Sequence, residues 1–175
     1  MEKVSIEGVA LDLVNNSSVL ILKGEKGKFL PIAIRILEAQ SILIALENAS
    51  FFRPLTHDLI KNIIESLSAK LLRLEIHSLK KGVYYAHLVI SKDGNIINVD
   101  CRPSDGIAIS LRLNADIMVS DNLLEKMDII KEGKDVKFFK TNLSDKPISE
   151  EEAKKLRKMI DDMSAKEFWK ELGKD

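Results

Sequence analysis

Apolar residues in the first forty positions recur at every second place. Val4 and Ile6 alternate with polar neighbours, as do Val9, Leu11 and Leu13, and the phase slips at Gly8. That pattern predicts a half-buried strand with a bulge at the glycine. Asn15 to Ser18 reads as a turn, Val19 to Leu22 as a second strand, Gly24 to Gly27 as a second turn and Phe29 to Ile34 as a third strand. Pro31 has no N–H to give a ladder, so its strand is expected at an edge or a bend.

The period then changes. Ile36 to Glu47 is apolar with few breaks, which predicts a helix buried on most sides. Past a loop at 48–54, Thr56 to Ser68 carries Leu59, Ile60, Ile63, Ile64 and Leu67 at helical spacing. Leu72, Leu74 and Ile76 alternate with Arg73, Glu75 and His77, again a half-buried strand. Lys80-Lys81-Gly82 turns into a strand over Val83 to Ser91, and Asp93-Gly94 is a strong hairpin signal leading to a strand over Asn95 to Asp100. Ser104 to Leu113 reads as a helix, Ile117 to Val119 as a strand, Asp121 to Met127 as a short helix and Val136 to Phe139 as a strand. Antiparallel runs mixed with helices predict an α+β fold: a mixed, largely antiparallel sheet with flanking helices.

After about Asn142 the chain becomes densely charged. Ser149 with Glu152 and Ser164 with Glu167 have the spacing of capping boxes. The expected organisation is one domain over 1–142 and a charged helical extension over 143–175. Leu156, Met159, Ile160, Met163, Phe168, Trp169 and Leu172 give that tail an apolar side for packing on the domain or on another subunit.

Composition narrows the function classes. With 175 residues, 45% of them hydrophobic, the chain can bury a real core. Lys+Arg and Asp+Glu are equal at 27 each, which argues against binding polyanions by bulk charge and leaves room for a local basic patch. A single Cys excludes a disulfide framework and a Cys-rich zinc site. No apolar run approaches the roughly 18–20 residues of a membrane span, and the N-terminus lacks a signal peptide's apolar region, so a soluble cytoplasmic protein is expected. Glycine-rich phosphate loops are missing from the sequence.

Two stretches stand out, Arg53-Pro54-Leu55-Thr56-His57-Asp58 and Asp100-Cys101-Arg102-Pro103-Ser104-Asp105. Each runs from Arg-Pro through a hydroxyl residue to an Asp at a helix start. The prolines stop the preceding element, Thr56 and Ser104 are placed to cap, and Asp58 and Asp105 suit the positive end of the helix dipole. Structural helix starts are the commoner meaning of such stretches. If the two loops meet, however, they gather carboxylates that suit Mg²⁺ or Mn²⁺, arginines that suit phosphate, and a His that suits proton transfer near neutral pH. Glu38, a carboxylate in the apolar helix, is either paired or part of such a site. His77 is expected in solvent, His87 packed, and Cys101 buried and unreactive. Zinc is disfavoured because the three His show no ligand spacing. Tyr84 and Tyr85 beside Lys80 and Lys81 could stack bases, although one ring inward and one outward is the commoner outcome.

These stretches resemble the bifunctional nuclease family. The resemblance rests on Leu30-Pro31-Ile32-Ala33-Ile34, on Glu38-Ala39, on Arg53-Pro54-Leu55-Thr56-His57-Asp58, on Tyr84-Tyr85-Ala86 and on Asp100-Cys101-Arg102-Pro103-Ser104-Asp105-Gly106-Ile107, in the family's order over roughly residues 1 to 130. Arg35 stands where the family usually has Gly, and Gly106 where it usually has Ala. The resemblance implies an α+β domain that assembles into oligomers, a dimer or trimer, and hydrolysis of RNA and DNA. On the matching positions the expected roles are His57, Asp58 and Asp105 in catalysis, Asp58, Asp100, Asp105 and Glu38 around Mg²⁺ or Mn²⁺, and Arg53 and Arg102 on phosphate. The alternative is a non-catalytic oligomeric binding or regulatory module whose Arg-Pro loops hold the fold or bind a small anion.

Overall fold

The computed structural model describes residues 1–12, 17–49, 51–126 and 137–140. The expected turn at 13–16 and the tail from 141, with Ser149 and Ser164, lie outside the described residues.

Three strands open the chain, β1 (Glu2–Asp12), β2 (Ser17–Lys23) and β3 (Lys28–Ile34), paired antiparallel in sequence order. The β1–β2 register shifts between Ile6 and Gly8, where the hydrophobic phase slips. Pro31 sits opposite Ile21 of β2. The other neighbour of β3, the two-residue β8 (Glu125–Lys126), reaches only Lys28 and Phe29, so the missing N–H of Pro31 costs no ladder bond on that side.

Helices α1 (Ile36–Leu46) and α2 (Thr56–Ser66) follow, then β4 (Lys70–Lys80), β5 (Val83–Lys92) and β6 (Asn95–Cys101), α3 (Pro103–Arg112) and β7 (Asp116–Val119). The hairpins β4–β5 and β5–β6 close on two-residue turns, Lys81-Gly82 and Asp93-Gly94, with φ of 50°, 78°, 51° and 78°. Positive φ at both central positions matches the turn twist to the strand twist.

Strand β7 lies between β4 and β1 and runs parallel to β4; every other pairing among the described residues is antiparallel. The order is β6-β5-β4-β7-β1-β2-β3-β8, and β9 (Lys137–Lys140) pairs with β1. This is the expected α+β architecture. Helix α1 packs on β1 and β2, α2 on β4, and α3 on β4, β5 and β7 while touching both other helices. The core between them includes Leu20, Leu22, Ile42, Leu74, Ile76 and Ile107, all below 2% exposed. Each such side chain contributes about 1.5–3 kcal/mol.

Several expectations change. The β4–β5 register shifts between Leu71 and Arg73, so Leu71, not Leu72, joins Leu74 and Ile76 in the core. The segment after Asp121 forms only a 3₁₀ turn, Asp121–Leu123, before β8. On α2 only Ile64 is buried; Leu59, Ile63 and Leu67 stay exposed because the helix lies on the rim of the core. Gly106 has a packing reason: a Cβ there would sit 2.4 Å from the Leu74 side chain and 3.0 Å from the Cys101 sulfur, so α3 approaches β4 closely only without one. No helix among the described residues is long and apolar enough to cross a membrane.

Candidate functional site

The three helices begin with the same device. Each has an acid at its third position: Glu38 in α1, Asp58 in α2 and Asp105 in α3. Glu38 accepts from the backbone N–H of Arg35 at 3.1 Å, and Asp58 from that of Leu55 at 2.9 Å. These bonds satisfy otherwise orphaned donors, and negative charge there suits the helix dipole. Thr56 and Ser104 therefore do not cap. The N-cap positions are Leu55 and Arg102, one and two residues earlier than the hydroxyls, and Pro103 takes the first turn of α3, where its fixed φ fits and its missing N–H costs nothing.

The two Arg-Pro stretches do meet. His57 Nε2 lies 3.3 Å from Asp105 Oδ1. Arg102 grips Asp105 side-on, with Nε 2.7 Å from Oδ2 and Nη2 3.1 Å from Oδ1, and its Nη1 donates to Glu38 Oε1 at 2.9 Å. One chain of contacts, His57–Asp105–Arg102–Glu38, thus joins the starts of all three helices. The Arg102 guanidinium remains mostly exposed, whereas His57 is largely buried.

A second set lies behind the first. Arg112, 6% exposed in the last turn of α3, donates from Nε to Asp58 Oδ1 at 2.6 Å and from Nη1 to the carbonyls of Ser41 at 3.0 Å and Ala108 at 2.8 Å. Sequence reasoning missed Arg112. Its one local signal is a cation between Leu111 and Leu113 in an otherwise apolar helix end.

The electrostatics follow from these contacts. Burial alone would raise the Asp105 carboxyl, but hydrogen bonds from Arg102 and His57 outweigh it and hold the group below its ordinary value. Asp58 behaves likewise, burial being outweighed by Arg112 and the Leu55 N–H. Asp105 in turn holds Arg102 firmly protonated. Burial, then the charges of Asp100 and Asp105, push the Cys101 thiol up to about 11, so it is no nucleophile near neutral pH.

Two expected members are not tied into the cluster. Arg53 is exposed on the loop before α2, and Asp100 is exposed on β6 opposite His87; neither makes a hydrogen bond or ion pair with it among the described residues. A hard divalent cation needs several carboxylate or carbonyl oxygens free to face it. Here both oxygens of Glu38, Asp58 and Asp105 already meet N–H donors, with guanidinium charge alongside. Among the described residues no three His, Cys, Asp or Glu gather as a metal-ligand group. The arrangement does not fit Mg²⁺ or Mn²⁺ while Arg102 holds its place.

What the site offers instead is an imidazole oriented by a carboxylate beside an exposed guanidinium at a convergence of helix N-termini. Asp105 accepts only, so neutral His57 carries its proton on Nε2 and keeps Nδ1 as a proton acceptor.

Comparison with known proteins places the same region in a family. A model described as the bifunctional nuclease domain matches residues 20–132. An uncharacterised protein of Mycobacterium tuberculosis is 31% identical over 169 residues, 96% of this chain and 98% of that relative. Bifunctional nuclease 1 of Arabidopsis thaliana is 30% identical over 122 residues, 66% of this chain but 38% of the plant protein. Bifunctional nuclease 1 of Oryza sativa subsp. indica is 31% identical over 106 residues, 58% of this chain and 32% of that protein.

Proposed function

The chain belongs to the bifunctional nuclease domain family, and we propose that it hydrolyses phosphodiester bonds in RNA and DNA at the point where its three helices begin. The observation that carries this reading is the His57–Asp105 contact beside Arg102. Arg102 spends three of the five N–H groups of a guanidinium on Asp105 and Glu38, which leaves donors for a phosphate oxygen on its exposed side. His57 Nδ1 takes a proton from a water as its oxygen bonds to phosphorus, Asp105 stabilises the resulting imidazolium, and the P–O bond to the leaving sugar oxygen breaks as that oxygen takes the proton back. Arg102 opposes the extra negative charge on the phosphoryl oxygens. Arg53, exposed on the loop before α2, is assigned to a neighbouring phosphate. Asp58 holds α2 in place through Arg112 and acts by positioning His57.

The test is hydrolysis of labelled RNA and single-stranded DNA by the full chain. His57→Ala and Asp105→Asn are each expected to lower the rate at least about 100-fold. Activity in excess EDTA is expected to persist. Loss of activity on chelation would show instead that the reaction needs a metal, and full activity in both variants would sink the site assignment. The fully paired carboxylates are the observation that favours the other reading, a binding module without catalysis; it predicts that the wild-type chain binds oligonucleotide and cleaves none.

A further inference from the structure

The sheet face turned away from the helices carries a group of side chains that the proposed chemistry does not use. On β5, Tyr84 packs against the core while Tyr85 points the other way and is 40% exposed. Lys80 Nζ stands 5.3 Å from the Tyr85 ring centroid, and Lys81 and Gly82 form the turn beside it. His77 is exposed, and its ring lies 5.0 Å from that of His87, centre to centre, tilted by 38°. Glu75, the acid between them, meets Arg73 at 2.6 Å and His87 at 3.0 Å, so its charge is balanced within the face. Asp100 of β6, opposite His87, is a further acid on this side, as is Asp116 of β7 beside Arg73.

Register connects this face to the candidate site. Cys101 ends β6 opposite Ala86, so Arg102, the next residue, leaves the sheet level with Tyr85. The exposed ring and the exposed guanidinium therefore share one end of the sheet. A planar ring with a cation at its face, next to a lysine turn, suits a base and its phosphate: every base has a π surface, and stacking tolerates any sequence. It also supplies the local positive patch that a chain of zero net charge needs to hold a polyanion.

We propose that this end of the β4–β5 face is a binding site for single-stranded nucleic acid, with a base stacked on Tyr85 and the adjoining phosphates on Lys80 and Lys81. It deepens the nuclease reading and rests on it for the link to catalysis: a strand anchored on Tyr85 passes over the sheet edge to Arg102. Binding itself is measurable whether or not the chain cleaves.

Fluorescence anisotropy of the full chain with labelled oligouridylate and oligothymidylate tests it, alongside turnover of bis(p-nitrophenyl) phosphate, a small ester that carries no nucleobase. Tyr85→Ala is expected to weaken oligonucleotide affinity about tenfold. Tyr85→Phe, which keeps the ring, is expected to bind like wild type, and both variants to turn over the small ester at the wild-type rate. His57→Ala is expected to bind oligonucleotide normally, so failure of the catalytic assignment leaves the binding result readable. Wild-type affinity within twofold in Tyr85→Ala, or no oligonucleotide binding by the wild type, overturns the proposal. So does a Tyr85→Ala variant whose main change is a smaller assembly, which would make the face a subunit contact.

Discussion

A guanidinium inside a protein must place its N–H groups on protein acceptors or bear the full cost of lost hydration. Arg112 places Nε and Nη1 on Asp58, Ser41 and Ala108, one acceptor on each of the three helices, while its Nη2 is buried without a partner among the described residues. Replacing it by Met keeps the bulk and leaves the Asp58 charge without its partner. Because about a third of the Asp58 side chain remains in contact with solvent, the expected loss is about 2 kcal/mol, below the range for a fully buried pair. Urea denaturation checks this, and adding Asp58→Asn to Arg112→Met is expected to recover part of the loss. Neither role was legible in the sequence: Arg112 reads as a last-turn cation, and its partners lie 54 and 71 positions away. His57 and Asp105 were legible as residue types in an unusual setting. Their 3.3 Å contact spans 48 positions, so only the fold could show it.

Among elements, period proved readable and facing only in part. Alternation located β1 to β7 within a few residues, and the two tight turns were plain from Lys81-Gly82 and Asp93-Gly94. On β4 the alternation placed Leu74 and Ile76 inward as found, and only the register shift puts Leu71 there in place of Leu72. Helix α2 shows the limit, since five apolar residues at helical spacing read as one face, of which Ile64 is buried while Leu59, Ile63 and Leu67 are exposed. Exposed apolar side chains at the rim of a core are a candidate contact for a second copy of the chain, if it forms the oligomers expected of the family. Light scattering is expected to give a mass above the 19.7 kDa of one chain. The pair Leu59→Ser and Ile63→Ser is expected to lower that mass while circular dichroism retains the helix. A monomeric wild type would remove α2 as an assembly surface.

For the molecule as a whole, the paired acids tie stability to pH in one direction. Asp58 and Asp105 hold their carboxyls below the ordinary 3.8 in the fold, and Glu75, where burial is outweighed by Arg73 and His87, lies below 4.5. Groups depressed in this way contribute fully above their unfolded values, and the contribution is lost as pH falls through the folded ones. The urea midpoint is therefore expected to stay nearly level from about pH 7 to 5 and to fall below about pH 4. Asp105→Asn is expected to make that fall shallower; an unchanged acid limb would mean the carboxylate pairs contribute little. Composition foretold this tight charge balance, though not that so much of it is arranged as neutralised clusters at helix starts. Arg102 adds a further consequence. Any phosphate it receives reaches only the N–H groups left free by two carboxylates that already share the guanidinium's charge. Under the proposed reaction, a cleaved fragment gripping only that side chain is expected to depart readily and an uncut strand with a second anchorage to linger, so product inhibition is expected to be weak and long polymers favoured over their own debris.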